Sequence, residues 1–216
     1  MFKPGFVIYL LIIATGAAIG LFKYKRLESE KPVAILLVLT FFSETLSRIF
    51  AFYFINSSPV YHFLDPLQSI LWGIFFFLSI KSRIKKKVIF AFSILLTLYA
   101  IFDSFFVENI LKFPDIFLTI QSIALICFGF VLFFEKLDSP ANDNIFKDSV
   151  FLISLSVIWF YLISFLFFDF HEFSLSKKIS QITLRTINYI SNYVYYLLLI
   201  VALILKIISF KVDKNE

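Results

Sequence analysis

The sequence predicts an all-α membrane protein: one bundle of seven transmembrane helices, with the N-terminus outside and the C-terminus cytoplasmic. Three observations carry that expectation. Of 216 residues, 60% are hydrophobic and only 16% charged, against about 25% charged in an ordinary water-soluble domain. The apolar residues are gathered into long runs, and a helix rising about 1.5 Å per residue needs about 20 of them to cross the hydrocarbon. Lysine and arginine fall on alternate connections between the runs.

The runs lie at about 5–22, 33–54, 60–80, 88–106, 116–134, 149–169 and 187–207, and the short connections leave no room for a separate soluble domain within 1–216. The first is followed at once by Lys23, Lys25 and Arg26, so it reads as a retained span rather than a cleaved secretory signal. Its Gly16 and Gly20 stand four apart, the spacing that lets helix backbones approach closely within a bundle. The second span holds Glu44 and Arg48 among apolar residues. Before the third, Ser58-Pro59 and Asp65-Pro66 each read as a helix cap followed by proline at the first helical position. The basic run "KSRIKKK" precedes the fourth span, "FPDIF" opens the fifth with Asp115 as a cap, "EKLDSPANDN" leads to the sixth, and "FHEFSLSKKISQ" separates the sixth from the seventh.

Fourteen Lys and Arg residues fall on the 1–2, 3–4 and 5–6 connections and the tail, and five on the opposite side, which sets the orientation. The net charge of +5 is thereby explained by topology and attraction to anionic membrane lipids, and no nucleic-acid partner is expected. The single cysteine, Cys127, excludes an internal disulfide, and no metal or cofactor site suggests itself.

With the orientation set, polar residues acquire a depth. Thr40, Glu44, Ser47, Arg48 and Ala51 form one stripe down the second span. A charge at mid-bilayer costs about 2.5–3.5 kcal/mol on insertion scales, so that stripe must face protein or water; pairing Glu44 with Arg48 would reduce the cost. His62, Asp65 and Gln68 follow at steps of three in the third span; Asp103, Gln121, Ser122, Ser164 and Asp169 lie in outer halves; Gln181, Arg185, Asn188, Asn192 and Tyr195 share one face of the seventh. The inner halves, "LWGIFFFLSI", "ALICFGFVLFF" and "LLLIVALIL", carry almost nothing ionisable. A polar outer cup over a dry floor suits a ligand pocket better than a conduit, which needs polar groups at successive depths. Plainer roles remain open: Asp65 and Asp115 as caps, His62 at the headgroup level, the tyrosines at 189, 193, 195 and 196 as belt and packing, and Glu44 with Arg48 as a structural clamp.

The seventh span has no lysine between 187 and 205, which excludes a retinal protein. "SETLSR" and Phe167 to His171 match only fragments of the intramembrane CAAX-type protease motifs, and "DPLQS" is not the Pro-Gln dipeptide of PQ-loop sugar transporters. Glu44 in span two, the polar lead-in to span three and the asparagines of span seven resemble small seven-helix membrane proteins of AT-rich bacteria. That resemblance implies a fold and a place in the bacterial inner membrane, and carries no activity.

The expected function is a membrane sensor or ligand-binding component. Glu44, Arg48, His62, Gln68, Gln121, Asn188 and Asn192 would bind a small amphipathic ligand, and the bundle would signal to a cytoplasmic or membrane partner. The rivals are a membrane-embedded enzyme acting on a lipid or isoprenoid and a small proton-coupled transporter. Against the enzyme, no nucleophile stands beside an evident base; against the transporter, inner-half polar residues are few.

Overall fold

The computed structural model describes residues 4–54, 56–138, 144–176 and 181–212, with side chains described at 5–54, 56–138, 144–166 and 186–209. Asp169, His171, Gln181 and Arg185 lie outside the described side chains. Seven long helices follow in order: α1 (Pro4–Phe22), α2 (Lys31–Tyr53), α3 (Ser58–Ser79), α4 (Arg83–Phe102), α5 (Asp115–Leu137), α6 (Ser149–Ser176) and α7 (Gln181–Val212). No strand occurs among the described residues.

Proline marks several starts, where its missing N–H removes no helical hydrogen bond: Pro4 opens α1, and Pro32 and Pro59 sit in the first turns of α2 and α3. The Ser82 side chain accepts from the Lys85 N–H at the start of α4, and Asp148 Oδ1 accepts from the N–H groups of Val150 and Phe151 at the start of α6. Three expected caps are corrected. Helix α3 starts at Ser58, with Ser57 at the cap position and the Ser58 N–H donating to the Asn56 side chain, so Ser58 is the first helical residue and Asp65-Pro66 lies inside the helix. Asp115 is the first helical residue of α5, preceded by Pro114 at the cap position.

Helices α1, α2, α3, α5, α6 and α7 form a ring that closes where α7 packs on α1, and α4 lies outside it against α3. Gly20 permits a close approach within the ring: a Cβ there would meet Ala34 Cβ at 2.8 Å and Ala34 Cα at 3.2 Å, which brings α1 tight against α2. Gly73 does the same for α3 and α4, since its Cβ would collide with Ser93.

Six of the helices are long and apolar enough to cross a membrane: α1, α2, α4 with the π turn that extends it over Asp103–Val107, α5, α6 and α7. Their outward residues include Phe22, Phe52, Ile84 and Phe106, each at least 75% exposed, an apolar surface that suits lipid and not water. Helix α3 is not among the six, because His62, Asp65, Pro66 and Gln68 fill its first half. The fold is therefore all-helical with six candidate membrane-spanning helices, compatible with an integral membrane protein.

Candidate functional site

The six ring helices enclose a cavity of about 470 Å³ at the end where α1, α3, α5 and α7 begin. Helix α4, packed outside, contributes nothing to it. Its size falls in the range of small-molecule pockets, about 300–1,000 Å³. Of the residues picked from the sequence, Glu44, Arg48, Gln68, Gln121, Asn188 and Asn192 all line it. His62 does not. On α3 the cavity-facing stripe is Tyr61, Asp65 and Gln68, at i, i+4 and i+7, and His62 falls about 100° further round the helix.

His62 is nonetheless buried and engaged. Its Nε2 donates to the Lys112 carbonyl at 2.9 Å, and its Nδ1 lies 2.9 Å from the Ser104 hydroxyl. Both partners belong to the stretch joining α4 to α5, so this histidine fastens that stretch to α3.

Glu44 and Arg48 do not form the pair that their spacing suggested. No direct ion pair joins the two side chains: the guanidinium carbon of Arg48 sits 4.1 Å from the centre of the Phe6 ring, at the exposed rim. Glu44, one turn deeper, is approached by the Tyr9 hydroxyl, which also interacts with that of Tyr196. The rings of Tyr9 and Tyr196 meet edge to face at 5.6 Å. Opposite, Ser47 donates to the Tyr61 hydroxyl at 3.2 Å, and the Tyr61 ring packs on Phe113 at 5.1 Å.

Asp65 is 4% exposed, lines the cavity, and has no donor within hydrogen-bond distance of Oδ2 among the described residues. Its own backbone carbonyl accepts from Ser69, whose Oγ accepts from Gln121 Nε2 at 2.7 Å. Gln121 thus ties α5 to α3 from the cavity wall. On α7, Asn192 Nδ2 donates to the carbonyl and side-chain oxygens of Asn188, so the two amides are held as one unit.

Beyond the span ends, charge is arranged differently on the two sides. Near the cavity, Glu108 follows the π turn and its Oε1 accepts from the Ile116 N–H; burial, with the Asp103 carboxyl beside it, pushes Glu108 up from its ordinary 4.5 to about 7. At the opposite end the Lys206 ammonium, 2.8 Å away, holds the Glu28 carboxyl below its usual range.

Below the cavity the ring is dry. Trp72, Phe75, Phe76, Leu132, Leu199 and Leu203 are fully buried, with ring contacts of 5.3–6.2 Å among Trp72, Phe75 and Phe76. Sequence reasoning put Tyr195 on the polar face of the seventh span but did not pick out Tyr9 or Tyr61 as cavity walls, and it left Asp65 open between a cap and a cavity residue. The repeat Tyr61, Asp65, Gln68 was a readable signal for both, masked by the proline after Asp65. No protein-family model, curated protein or solved structure matches this chain.

Proposed function

We propose that the chain is an integral protein of a bacterial cytoplasmic membrane that binds a small amphipathic molecule in this cavity and reports its presence to a membrane or cytoplasmic partner. In this reading it spans the bilayer seven times, with its N-terminus outside. Helix α3 serves as the remaining span although it is the least apolar, because its polar stripe lies against the cavity and its flanks against α2 and α4. The basic connections at the opposite end favour the cytoplasmic placement of that end. Arg48 at the rim meets an anionic group, and the amides of α7 supply hydrogen bonds.

The observation that carries the reading is the cavity's one-ended shape: six helices line it, and beneath it Trp72, Phe76 and Leu199 are fully buried. Differential contact of a ligand with two arrangements of the ring would shift their populations and so reach the far connections. Single cysteines test this in a Cys127→Ala background. The account expects Asn192→Cys to react with a membrane-impermeant thiol reagent from outside, and Leu199→Cys to react from neither side. Reaction at the Leu199 position, or at the Asn192 position only from inside, contradicts a sealed outward cup.

A further inference from the structure

Two carboxyls face the cavity from neighbouring helices, Glu44 from α2 and Asp65 from α3, and neither is neutralised by a direct ion pair with Arg48. Arg48 stands one turn nearer the rim, about 6 Å further along α2. Each side chain engages α1, Glu44 through the Tyr9 hydroxyl and Arg48 over the Phe6 ring, and the opposite charges form no ion pair on the wall of one cavity.

Asp65 supplies the second observation. A nine-tenths-buried carboxyl normally has donors on both oxygens, and leaving one without costs free energy that the fold must offset elsewhere. Asp65 lines the cavity, and its Oδ2 has no donor among the described residues. Around the carboxyls stand the rings of Tyr9, Tyr61, Tyr161 and Tyr196. Faces of aromatic rings attract cations, and combined with carboxylates they form the chemistry that recognises organic ammonium groups.

We infer that the cavity takes a zwitterion, with an organic ammonium seated between Glu44 and Asp65 and a linked anionic group at Arg48. This rests on the ligand-binding reading above and names the ligand's chemistry. An ammonium donates to the carboxyls of Asp65 and Glu44, while the anion, one helical turn nearer the rim, receives the guanidinium N–H groups. The headgroup of a zwitterionic lipid and a free ammonium compound such as phosphoethanolamine share this chemistry.

The test uses the full chain in nanodiscs of phosphatidylglycerol, a lipid with the anion and no ammonium. Calorimetry compares phosphoethanolamine with ethanolamine, which carries the ammonium alone, and glycerol phosphate, which carries the anion alone. Phosphoethanolamine is expected to bind about tenfold or more tighter than either of them. Glu44→Gln and Asp65→Asn should each weaken it about tenfold, and Arg48→Gln should erase its advantage over ethanolamine. Should Asp65→Asn fail to fold, judged by its melting curve, Glu44→Gln decides alone. In a second arm, phosphatidylethanolamine is added to the disc: its retention by the protein in native mass spectrometry identifies a lipid source, and displacement by free phosphoethanolamine a soluble one. Glycerol phosphate binding as tightly as phosphoethanolamine, with dependence on Arg48 alone, overturns the zwitterion and leaves the cup standing. Binding of none of the probes also overturns it, while the cysteine labelling of Asn192 and Leu199 judges the cup separately.

Discussion

At the end of the bundle that carries the basic connections, acidic side chains meet donors. Glu28 pairs with Lys206 and Asp148 with Lys136, each at 2.8 Å; Glu30, 1% exposed, accepts from Ser149 at 2.6 Å; Glu135 accepts from the Lys81 N–H. These links join the α1–α2 connection to α6 and α7, and the α3–α4 connection to α5. At the cavity end, Glu44 and Arg48 share a helix face without an ion pair, and Asp65 keeps an oxygen with no donor among the described residues. At one end the carboxylates tie neighbouring elements together, although Arg26 Nη1, Ser79 Oγ and Glu135 Oε2 there are buried without a partner among the described residues; at the other end Glu44, Arg48 and Asp65 line a cavity. Fold stability should therefore concentrate in the first end and ligand recognition in the second.

The largest effect should come from the dry half. Trp72→Ala removes a fully buried ring among Phe75 and Phe76 and is expected to cost about 3–5 kcal/mol, read as a lowered melting temperature in detergent. Asp65→Asn, two turns or about 10 Å away along α3, should cost far less stability while weakening binding. Equal losses of stability at both positions would break the comparison. Next comes Gly73→Val, whose added carbons meet Ser93 across the α3–α4 contact; overpacking there should cost about 1–3 kcal/mol and leave the cavity's ligand affinity unchanged, because α4 does not line it.

Proton linkage separates the two ends further. The Glu108 carboxyl is raised to about 7 in the fold from an ordinary 4.5, so between those values the folded state holds a proton that the unfolded chain has released. Stability from this group is complete below 4.5 and is lost as pH rises through about 7. Melting curves across that window should fall with pH, and Glu108→Gln should flatten the fall. The smallest effect belongs to Glu28 and Lys206. Glu28 is depressed in the fold, so its contribution is present above the ordinary carboxylate range and lost as pH falls through its lowered value. The pair is solvent-exposed on the Glu28 side, at 69%, and Lys206→Ala should cost less than about 1 kcal/mol, an effect that added salt removes.

Much of this division was legible in the sequence, because hydrocarbon-spanning helices need long apolar runs and a polar residue within one must face inward. Six of the seven proposed site residues reach the cavity for that reason. The failures were local. His62 sat on the right helix at the wrong angle, and three-residue steps through Asp65 to Gln68 drift around the helix where the true stripe starts at Tyr61. Asp65 before Pro66 carries the signature of a helix start, yet a helix already shielded by α2 and α4 accommodates an internal proline. The lone Glu30 at the closed end gave no pattern, since its partner Ser149 lies 119 residues away.

The central claim is that the cavity end receives a ligand and the opposite half is sealed. Its most direct test is an experimental structure of the purified protein in lipid nanodiscs, with density sought among Glu44, Arg48, Asp65 and Asn188. The account predicts a non-protein feature there, one end between the two carboxyls and the other near Arg48, above a closed layer at Trp72 and Leu199. A collapsed cavity with Glu44 and Arg48 in direct contact, or a solvent path continuing past Leu199, would contradict it.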